Sequence, residues 1–127
     1  MPAEPRTVLV VENNIIEREG MAFVLREGGF IVSLAPSAHI ALAYPVAVAK
    51  PDLILLDMMM PDKDGWYFMD RRKTNPQLAD VPVLIVTGLG VASQEWATSL
   101  GARGVLKKPF DAADLLCEVE GCLRAGD

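Results

Sequence analysis

Five short apolar runs, each followed by a stretch with helical spacing, constrain the fold of this chain more than any other feature. The third run, Leu53-Ile54-Leu55-Leu56-Asp57, has no polar residue before its last position, which is typical of a strand buried on both faces of a parallel sheet. The predicted strands are Thr7–Val11, Phe30–Leu34, Leu53–Asp57, Val81–Val86 and Gly104–Lys107. Their alternation with helices predicts a parallel sheet covered by helices on both faces, with right-handed connections.

Five helices are predicted between and after these strands. They extend from Ile15 to Gly28-Gly29, from Ser37 to Lys50, from Gly65 to Thr74, from Ser93 to Leu100 and from Asp111 onward. Pro45 should kink the second helix or begin a fresh turn there. Asp64 and Asp111 are expected to cap the third and fifth helices, because a side-chain oxygen at that position accepts a free backbone N–H. Arg71-Arg72-Lys73 is expected to be a solvated helix face.

The composition excludes several classes of protein. The chain has 127 residues and a net charge of −5 that is spread along it, so it offers no basic stripe to nucleic-acid phosphates. No apolar stretch approaches the ~18 residues of a membrane helix, and the first residues do not form a secretion signal. We therefore expect one cytoplasmic domain over residues 1–127, with residues 1–5 as a tail and with Cys117 and Cys122 as free thiols.

Polar side chains stand at the ends of four predicted strands. Glu12 and Asn13 follow the first strand, Asp57 ends the third, Thr87 follows the fourth and Lys108 follows the fifth. Because the carboxyl ends of parallel strands meet at one edge, we expect these side chains to face a single crevice. A doubly wound sheet of five strands reverses its order between strands one and three, which places Glu12, Asn13 and Asp57 together.

These residue types suit phosphoryl transfer. Carboxylate and amide oxygens are the ligands that Mg²⁺ prefers. The Asp57 carboxylate can attack phosphorus and form an acyl phosphate. Such transfer is catalysed mainly by positioning and by positive charge near the phosphoryl oxygens, which Mg²⁺ and Lys108 can supply. Thr87 can donate a hydrogen bond to a phosphoryl oxygen, although a hydroxyl at a strand end can also simply satisfy a backbone group.

The sequence resembles the receiver domains of two-component response regulators over nearly its whole length. Four motifs in this order carry the resemblance, and they are Val-Leu-Val-Val-Glu-Asn-Asn at 8–14, Pro-Asp-Leu-Ile-Leu-Leu-Asp-Met-Met-Met-Pro-Asp-Lys-Asp-Gly at 51–65, Pro-Val-Leu-Ile-Val-Thr-Gly at 82–88 and Gly-Ala-Arg-Gly-Val-Leu-Lys-Lys-Pro-Phe at 101–110. The resemblance implies an α/β fold of the flavodoxin-like, doubly wound kind, with five parallel strands in the order 2-1-3-4-5 and five helices.

The resemblance also implies the roles of individual residues. These are Asp57 as phosphoacceptor, Glu12 and Asn13 at the acidic-pair positions, Met59 lending its backbone carbonyl to Mg²⁺, Thr87 as switch hydroxyl and Lys108 as the phosphate-pairing lysine. The phosphoryl donor of the family is a phosphohistidine on a sensor histidine kinase or a histidine phosphotransfer protein. The implied activity is self-catalysed phosphoryl transfer and autodephosphorylation, and the output is expected to reach a separate downstream protein without contact with nucleic acid or membrane.

Four positions depart from the family pattern. Asn13 replaces the usual aspartate and removes a charge, so Mg²⁺ should bind more weakly. Val105 replaces the usual aromatic residue of the fifth strand, so the signal should not leave through a threonine–aromatic switch of the usual form. Met59 and Leu89 occupy positions that tune attack of water on the acyl phosphate. Because neither side chain can orient a water molecule, our hypothesis is that the phosphorylated form persists.

Two other functions are consistent with parts of the sequence. A receiver-like module that binds partners without phosphorylation is supported by Asn13 and Val105. A flavin or nucleotide carrier is the weakest alternative, because Glu12-Asn13-Asn14 occupies the place of a glycine-rich phosphate loop. Trp66 and Trp96 fall near helix starts, where they could pack internally or contribute to a partner-binding surface. The sequence leaves homodimerisation open.

Overall fold

Strands and helices alternate along the chain in the structure, a computed structural model that describes residues 5–43 and 50–125. Strands β1 to β5 are Thr7–Val11, Ile31–Ala35, Leu53–Asp57, Val83–Thr87 and Gly104–Lys107. Helices α1 to α5 are Ile15–Glu27, Ala38–Leu42, Asp64–Arg72, Gln94–Ser99 and Ala112–Ala125. A short 3₁₀ turn, Pro61–Lys63, leads into α3.

The strands form one parallel sheet in the order β2-β1-β3-β4-β5. This order confirms the predicted doubly wound α/β fold with its reversal between β1 and β3. The register pairs Val11 with Leu56 and Asp57 with Val86, so the carboxyl ends of β1, β3 and β4 reach the same level. The functional residues predicted at the strand ends therefore share one edge of the sheet.

Both faces of the sheet are buried, as the uninterrupted apolar runs predict. Ile54 and Leu56 of β3 face a cluster that includes Phe68 of α3. Leu53 and Leu55 face the opposite cluster, which α1 and α5 complete. Alternate residues of one strand thus belong to two different cores, which explains why β3 contains no polar residue before its last position.

Two predicted strands need corrected bounds, and both end one residue later than predicted, at Ala35 and Thr87. The second strand begins at Ile31 rather than Phe30, because the Phe30 N–H donates to Leu25 O at the end of α1. The fourth strand begins at Val83 rather than Val81, because the Val81 N–H closes a turn on Leu78 O. In both cases a hydrogen bond to the preceding element delays the entry of the chain into the sheet.

Within residues 5–43 and 50–125 the structure has the five predicted helices, of which the second and third are shorter than predicted. Helix α2 begins after Ser37, whose hydroxyl accepts the Ile40 N–H, and it ends at Leu42 with Ala43 as its C-cap, short of the predicted end at Lys50. The predicted kink at Pro45 lies outside the described residues. Helix α3 ends at Arg72 rather than Thr74. Asp111 caps α5 as predicted, since it accepts the Asp114 N–H at 2.8 Å.

The prediction that Asp64 caps α3 is wrong. Asp64 lies inside the first turn of α3, after Lys63, which adopts a left-handed backbone conformation with φ of 57°. Its carboxylate instead accepts the Ala38 N–H of α2 at 2.6 Å. Asp64 therefore stabilises the start of a neighbouring helix and fixes α2 against α3.

Arg72 is also not part of a solvated face. Only 7% of its surface is exposed. Its guanidinium donates to Ala79 O at 2.9 Å and to Gly101 O at 3.0 Å. It thereby links the loop before β4 to the loop before β5, at the amino edge of the sheet.

Cys117 is exposed and Cys122 is buried, and both are free. Among the helices within residues 5–43 and 50–125, none has the length and apolar character needed to cross a bilayer.

Candidate functional site

Asp57 lies at the last position of β3 with 4% of its surface exposed. One oxygen, Oδ1, accepts the Met59 N–H at 2.9 Å. The other, Oδ2, lies 3.7 Å from the Lys108 ammonium. The carboxylate is therefore held by the backbone on one side and faces a cation on the other.

Gly65 allows α3 to begin directly against this strand end. A Cβ atom at position 65 would lie 2.7 Å from the Cα of Met58 and 3.0 Å from the carbonyl oxygen of Asp57. Only glycine fits so close an approach of two backbones. The loop that carries Asp57 into α3 is thus fixed by packing.

Lys108 connects the strand ends of the site. It follows β5 and precedes Pro109 through a cis peptide bond, and its N–H donates to Thr87 O at 2.8 Å. Its ammonium donates to Glu12 Oε1 at 3.0 Å and to Glu17 Oε1 at 3.1 Å. Burial alone would lower the pKa of Lys108, but the hydrogen bond to Glu12 and the Asp57 charge outweigh it and raise that pKa.

Glu12 is the most deeply buried acid of the site. Its side chain is fully buried, with Oε2 accepting the Asn14 N–H at 3.2 Å. Burial, together with a hydrogen bond to Asp57, raises the pKa of Glu12 from 4.5 to about 7, and the bond from Lys108 offsets only part of this effect. A buried acid with such a pKa is one that a bound cation would ionise.

Thr87, at the end of β4, is fully buried. Its hydroxyl oxygen accepts the Leu89 N–H at 3.1 Å. The structure thus shows the backbone-satisfying contact expected for a strand-end hydroxyl. The same hydroxyl retains its hydrogen for donation, because the oxygen acts only as the acceptor in this contact.

Asn13 and Met59 lie at the margin of the site formed by Glu12, Asp57, Thr87 and Lys108. Asn13 is exposed and borders a cavity of about 290 Å³ that Asp62 and Asp64 also line. Met59 places its backbone beside Asp57 through its N–H, while its side chain is exposed. The structure therefore brings Glu12, Asp57 and Lys108 into direct contact and leaves Asn13 on the solvent side.

Glu17 is a site residue that the sequence analysis missed. It belongs to the first turn of α1, where Asn14 caps the helix by accepting the Glu17 N–H at 3.0 Å. A signal was available, because a helix that follows β1 starts over the carboxyl edge of the sheet. An acid in its first turn is close to whatever that edge holds.

The oxygen atoms of the site suit a hard cation. One carboxylate oxygen from each of Glu12, Glu17 and Asp57 lies within 4.8 Å of the others. Oxygen ligands of this kind, two of them on buried acids, match the ligand preference of Mg²⁺. The donor set therefore fits the predicted ion.

Trp66 and Trp96 contact each other next to the site. Trp66 lies in the first turn of α3 and Trp96 in α4. Their ring centroids are 6.4 Å apart with the planes inclined at 72°, which is an edge-to-face arrangement. Trp96 also packs, with Val105, against the core on that side of the sheet. The pair joins the segments that follow Asp57 and Thr87.

A family model described as the response regulator receiver domain matches residues 8–120. This chain belongs to that family. The match covers β2 to β5, all of β1 except Thr7, and the strand-end residues described above, so the family predicted from the four motifs is confirmed. As a receiver domain it is a module of two-component signalling.

Similar proteins agree with this classification. The probable transcriptional regulatory protein SilR of Salmonella typhimurium is 35% identical over 125 residues, covering 94% of this chain and 52% of SilR. The DNA-binding dual master transcriptional regulator RpaA of a Synechocystis strain is 31% identical over 121 residues, covering 94% of this chain and 50% of RpaA. The receiver domain thus spans about half the length of these curated relatives.

A solved structure of similar size confirms the fold. The chemotaxis response regulator CheY4 of Vibrio cholerae superposes with a TM-score of 0.82 at 29% identity, and the alignment covers 94% of this chain and 99% of CheY4. The order of strands, their parallel direction and the five helices are therefore those of a CheY-like receiver domain.

Proposed function

We propose that this receiver domain accepts a phosphoryl group on Asp57 and changes its binding to partner proteins when it does so. The observation that supports this proposal most directly is the convergence on Lys108. Its ammonium lies 3.0 Å from Glu12 and 3.7 Å from Asp57, although the three residues come from three different strand ends. A buried carboxylate beside a cation at a receiver's carboxyl edge is the arrangement that phosphoryl transfer needs.

In the proposed step, an oxygen of Asp57 attacks the phosphorus of a phosphohistidine. The new O–P bond forms as the N–P bond breaks, and the bonding electron pair leaves with the donor imidazole, which departs as a neutral ring because its other nitrogen already carries a proton. Lys108 stabilises the charge on the phosphoryl oxygens, and the Thr87 hydroxyl donates a hydrogen bond to one of them. Positioning and electrostatics supply the catalysis, so no further acid or base is required.

Mg²⁺ is the proposed cofactor. Glu12, Asp57, Asn13 and the backbone carbonyl of Met59 are the groups that would hold it. When bound, the ion neutralises negative charge shared between the carboxylates and the phosphoryl group. Since Glu12 has a pKa of about 7, occupation of the site is expected to favour release of its proton.

The proposed donor is a sensor histidine kinase or a histidine phosphotransfer protein. Such a donor must place its histidine beside Asp57, so it has to contact the surface around the site. Helix α1 presents three largely exposed apolar side chains there, Ile15, Ile16 and Phe23. Next to them a cavity of about 300 Å³ is lined by Gly20 and Lys108, among others. This apolar surface beside the site supports a protein donor.

Helix α4 is the proposed output element. A phosphoryl group bound by Thr87 and Lys108 would act on the segment after β4, which leads into α4. The contact between Trp66 and Trp96 couples that segment to the loop after Asp57. Phosphorylation shifts the population of conformers only as far as the phosphoryl group binds one of them better. The altered surface would then bind a downstream protein target.

The acyl phosphate is proposed to be long-lived. Met59 and Leu89 stand two residues after Asp57 and Thr87 and have apolar side chains, and the Met59 side chain is exposed. Neither offers a polar group that could position an attacking water molecule. A half-life of only seconds for the phosphorylated protein, measured by intact-mass spectrometry after removal of the donor, would contradict this part of the proposal.

Phosphorylation itself can be tested with a small donor. The protein is incubated with Mg²⁺ and acetyl phosphate, and intact-mass spectrometry measures addition of one phosphoryl group. We expect addition to the wild-type protein and none to Asp57→Asn. Asp62→Asn is the matched control, because Asp62 is an exposed acid of the same loop. Its backbone is left-handed, a conformation that asparagine tolerates. Addition to Asp57→Asn would overturn the proposal.

The same experiment separates the alternative function. A receiver-like module that works without phosphorylation would take up no phosphoryl group from acetyl phosphate at millimolar Mg²⁺. It would also show no change with beryllofluoride, an analogue of the bound phosphoryl group. The convergence of Glu12, Asp57 and Lys108 does not favour this alternative, since a passive module has no need for a buried acid pair around a lysine.

A further inference from the structure

Glu17 contacts the site although it does not lie at a strand end. Its carboxylate accepts a hydrogen bond from the Lys108 ammonium at 3.1 Å, almost the distance at which Glu12 accepts one. Its oxygen also lies within 4.8 Å of carboxylate oxygens of Glu12 and Asp57. Glu17 is therefore the third carboxylate around Lys108.

The position of Glu17 is determined by two contacts of the α1 start. Asn14 accepts the Glu17 N–H at 3.0 Å and so fixes the first turn of the helix. The next residue, Arg18, donates to Glu12 O at 3.0 Å. These contacts join the helix start to the backbone of the site, so Glu17 has only its own side-chain torsions to adjust. About 45% of that side chain is exposed, which leaves it room to turn toward a cation.

The charges of the site show what Glu17 adds. Asn13 is neutral and exposed, and it contributes no charge to the pocket. Glu12 and Asp57 together balance Lys108 with one negative charge in excess. Glu17 doubles that excess. Because a divalent cation is attracted in proportion to the negative charge near it, the excess decides how well Mg²⁺ competes with Lys108 for the carboxylates.

We propose that Glu17 supplies to the magnesium site the negative charge that Asn13 does not provide. Without Mg²⁺ the Glu17 carboxylate pairs with Lys108. With Mg²⁺ it turns to the ion, directly or through a bound water molecule, and Lys108 becomes available to a phosphoryl group. This inference deepens the proposed function and rests on it.

The test is a calorimetric titration with Mg²⁺ of the full chain above the pKa of Glu12. Five proteins are compared, namely the wild type, Glu17→Gln, Glu19→Gln, Asn13→Asp and the double variant Asn13→Asp/Glu17→Gln. Glu19 is the matched control, since it is an exposed acid of the same helix. Glu17→Gln should weaken Mg²⁺ binding about tenfold, as expected for one partly solvated charge near a divalent ion. Glu19→Gln should stay within about twofold of the wild type.

The double variant gives the decisive result. If Glu17 provides the charge missing at Asn13, Asn13→Asp/Glu17→Gln should recover the wild-type affinity, whereas a general disturbance of α1 would not be repaired from position 13. Urea unfolding of each variant checks that stability is unchanged. A Glu17→Gln affinity within twofold of the wild type, or a double variant as weak as Glu17→Gln, would overturn the inference alone.

Failure of the proposed function looks different. A wild-type chain that binds no Mg²⁺ at millimolar concentration and takes up no phosphoryl group would overturn both proposals. Phosphoryl uptake and Mg²⁺ binding by the wild type, with no effect of Glu17→Gln, would leave the phosphoacceptor role of Asp57 intact and remove only the role of Glu17.

Discussion

Two cationic side chains at opposite edges of the sheet, the half-buried Lys108 and the buried Arg72, have different partners. Lys108, at the carboxyl edge, donates to the carboxylates of Glu12 and Glu17. Arg72, at the amino edge, meets only backbone carbonyls among its described contacts, and these belong to Leu78, Ala79, Val81 and Gly101. Its Nε is buried and finds no hydrogen-bond partner within the described residues. One cation lies among excess negative charge and the other among neutral acceptors.

The different partners of Lys108 and Arg72 indicate that the first serves binding and the second serves stability. Negative charge around Lys108 outweighs burial and raises its pKa, whereas burial lowers the pKa of Arg72. The carboxylates around Lys108 can exchange one cation for another, because more negative charge is present than the lysine neutralises. The carbonyls around Arg72 are neutral acceptors, and one of them, Leu78 O, also accepts the Val81 N–H. We therefore expect changes at Lys108 to affect binding and changes at Arg72 to affect folding.

The largest effect on stability is expected from Arg72→Met. Its loss removes the guanidinium donor from the part-buried carbonyl oxygens of Ala79 and Gly101, and a hydrogen bond from a charged group contributes about 1.5 to 3 kcal/mol. We expect the free energy of unfolding to fall by about 3 to 5 kcal/mol, measured by urea denaturation. Mg²⁺ affinity under folding conditions should not change.

Arg71→Met is the matched control for this prediction. Arg71 is exposed and lies 5.3 Å from the centre of the Tyr67 ring, a contact worth about 0.5 to 1 kcal/mol at such a site. Arg72→Lys should recover only part of the loss, because an ammonium cannot reach Ala79 O and Gly101 O together as the guanidinium fork does. A loss below about 1 kcal/mol in Arg72→Met would contradict the comparison.

Lys108→Met should show the opposite pattern. Phosphoryl uptake from acetyl phosphate is expected to slow by about 10² to 10³-fold, the usual cost of removing one stabilising group from a transition state. Mg²⁺ should bind more tightly, because the competing cation is gone. Stability should change little, since Glu12 can take up a proton in place of its ion pair. Rapid-quench phosphorylation and calorimetry measure the two effects, and weaker Mg²⁺ binding would show that Lys108 is not a competitor.

The raised pKa of Glu12 predicts a pH dependence of stability. The folded protein binds this proton more tightly than the unfolded chain, whose glutamate titrates near 4.5. The contribution of Glu12 is therefore fully present below about pH 4.5 and is lost as the pH rises through about 7. Between these pH values the wild type should lose on the order of 1 to 3 kcal/mol relative to Glu12→Gln. Urea unfolding of both proteins across this range tests the sign, and parallel pH curves would contradict the prediction.

Saturating Mg²⁺ should abolish this pH dependence in the wild type, because a bound cation favours the ionised carboxylate throughout the range. The control is Glu12→Gln, which lacks the titrating group. Ca²⁺ at matched ionic strength distinguishes general screening from specific binding, since Mg²⁺ demands a closer and more regular set of ligands.

The strands and their carboxyl-edge residues are predictable from the sequence for a physical reason. A strand buried on both faces must be apolar at every position, so the run that ends at Asp57 marks both the strand and its limit. Parallel strands then align their ends, which brings residues as distant as Glu12 and Lys108 within 3.0 Å. Here local composition determines the long-range geometry.

Other contacts depend on geometry that a single sequence does not contain. Glu17 reaches Lys108 because of how α1 is rotated over the sheet. The Asp64 carboxylate accepts the N–H of Ala38, which is 26 residues away in the sequence. Arg72 sits in a basic run that is typical of an exposed helix face, yet the helix turns it inward. Side chains that leave a helix can be placed only once the helix is packed.

The smallest predicted effect concerns Gly20 in the middle of α1. A Cβ atom at this position would meet no atom within 4 Å, so packing does not require glycine. Gly20→Ala should raise the free energy of unfolding by about 0.5 to 1 kcal/mol, because alanine favours the helix. Gly28→Ala is the contrasting variant, since its Cβ would lie 2.7 Å from Leu116. Urea unfolding that shows Gly20→Ala to be destabilising would indicate a hidden packing role. A gain in stability would show that residues near Lys108 are not optimised for stability. Arg72, at the opposite edge, is instead expected to be needed for stability.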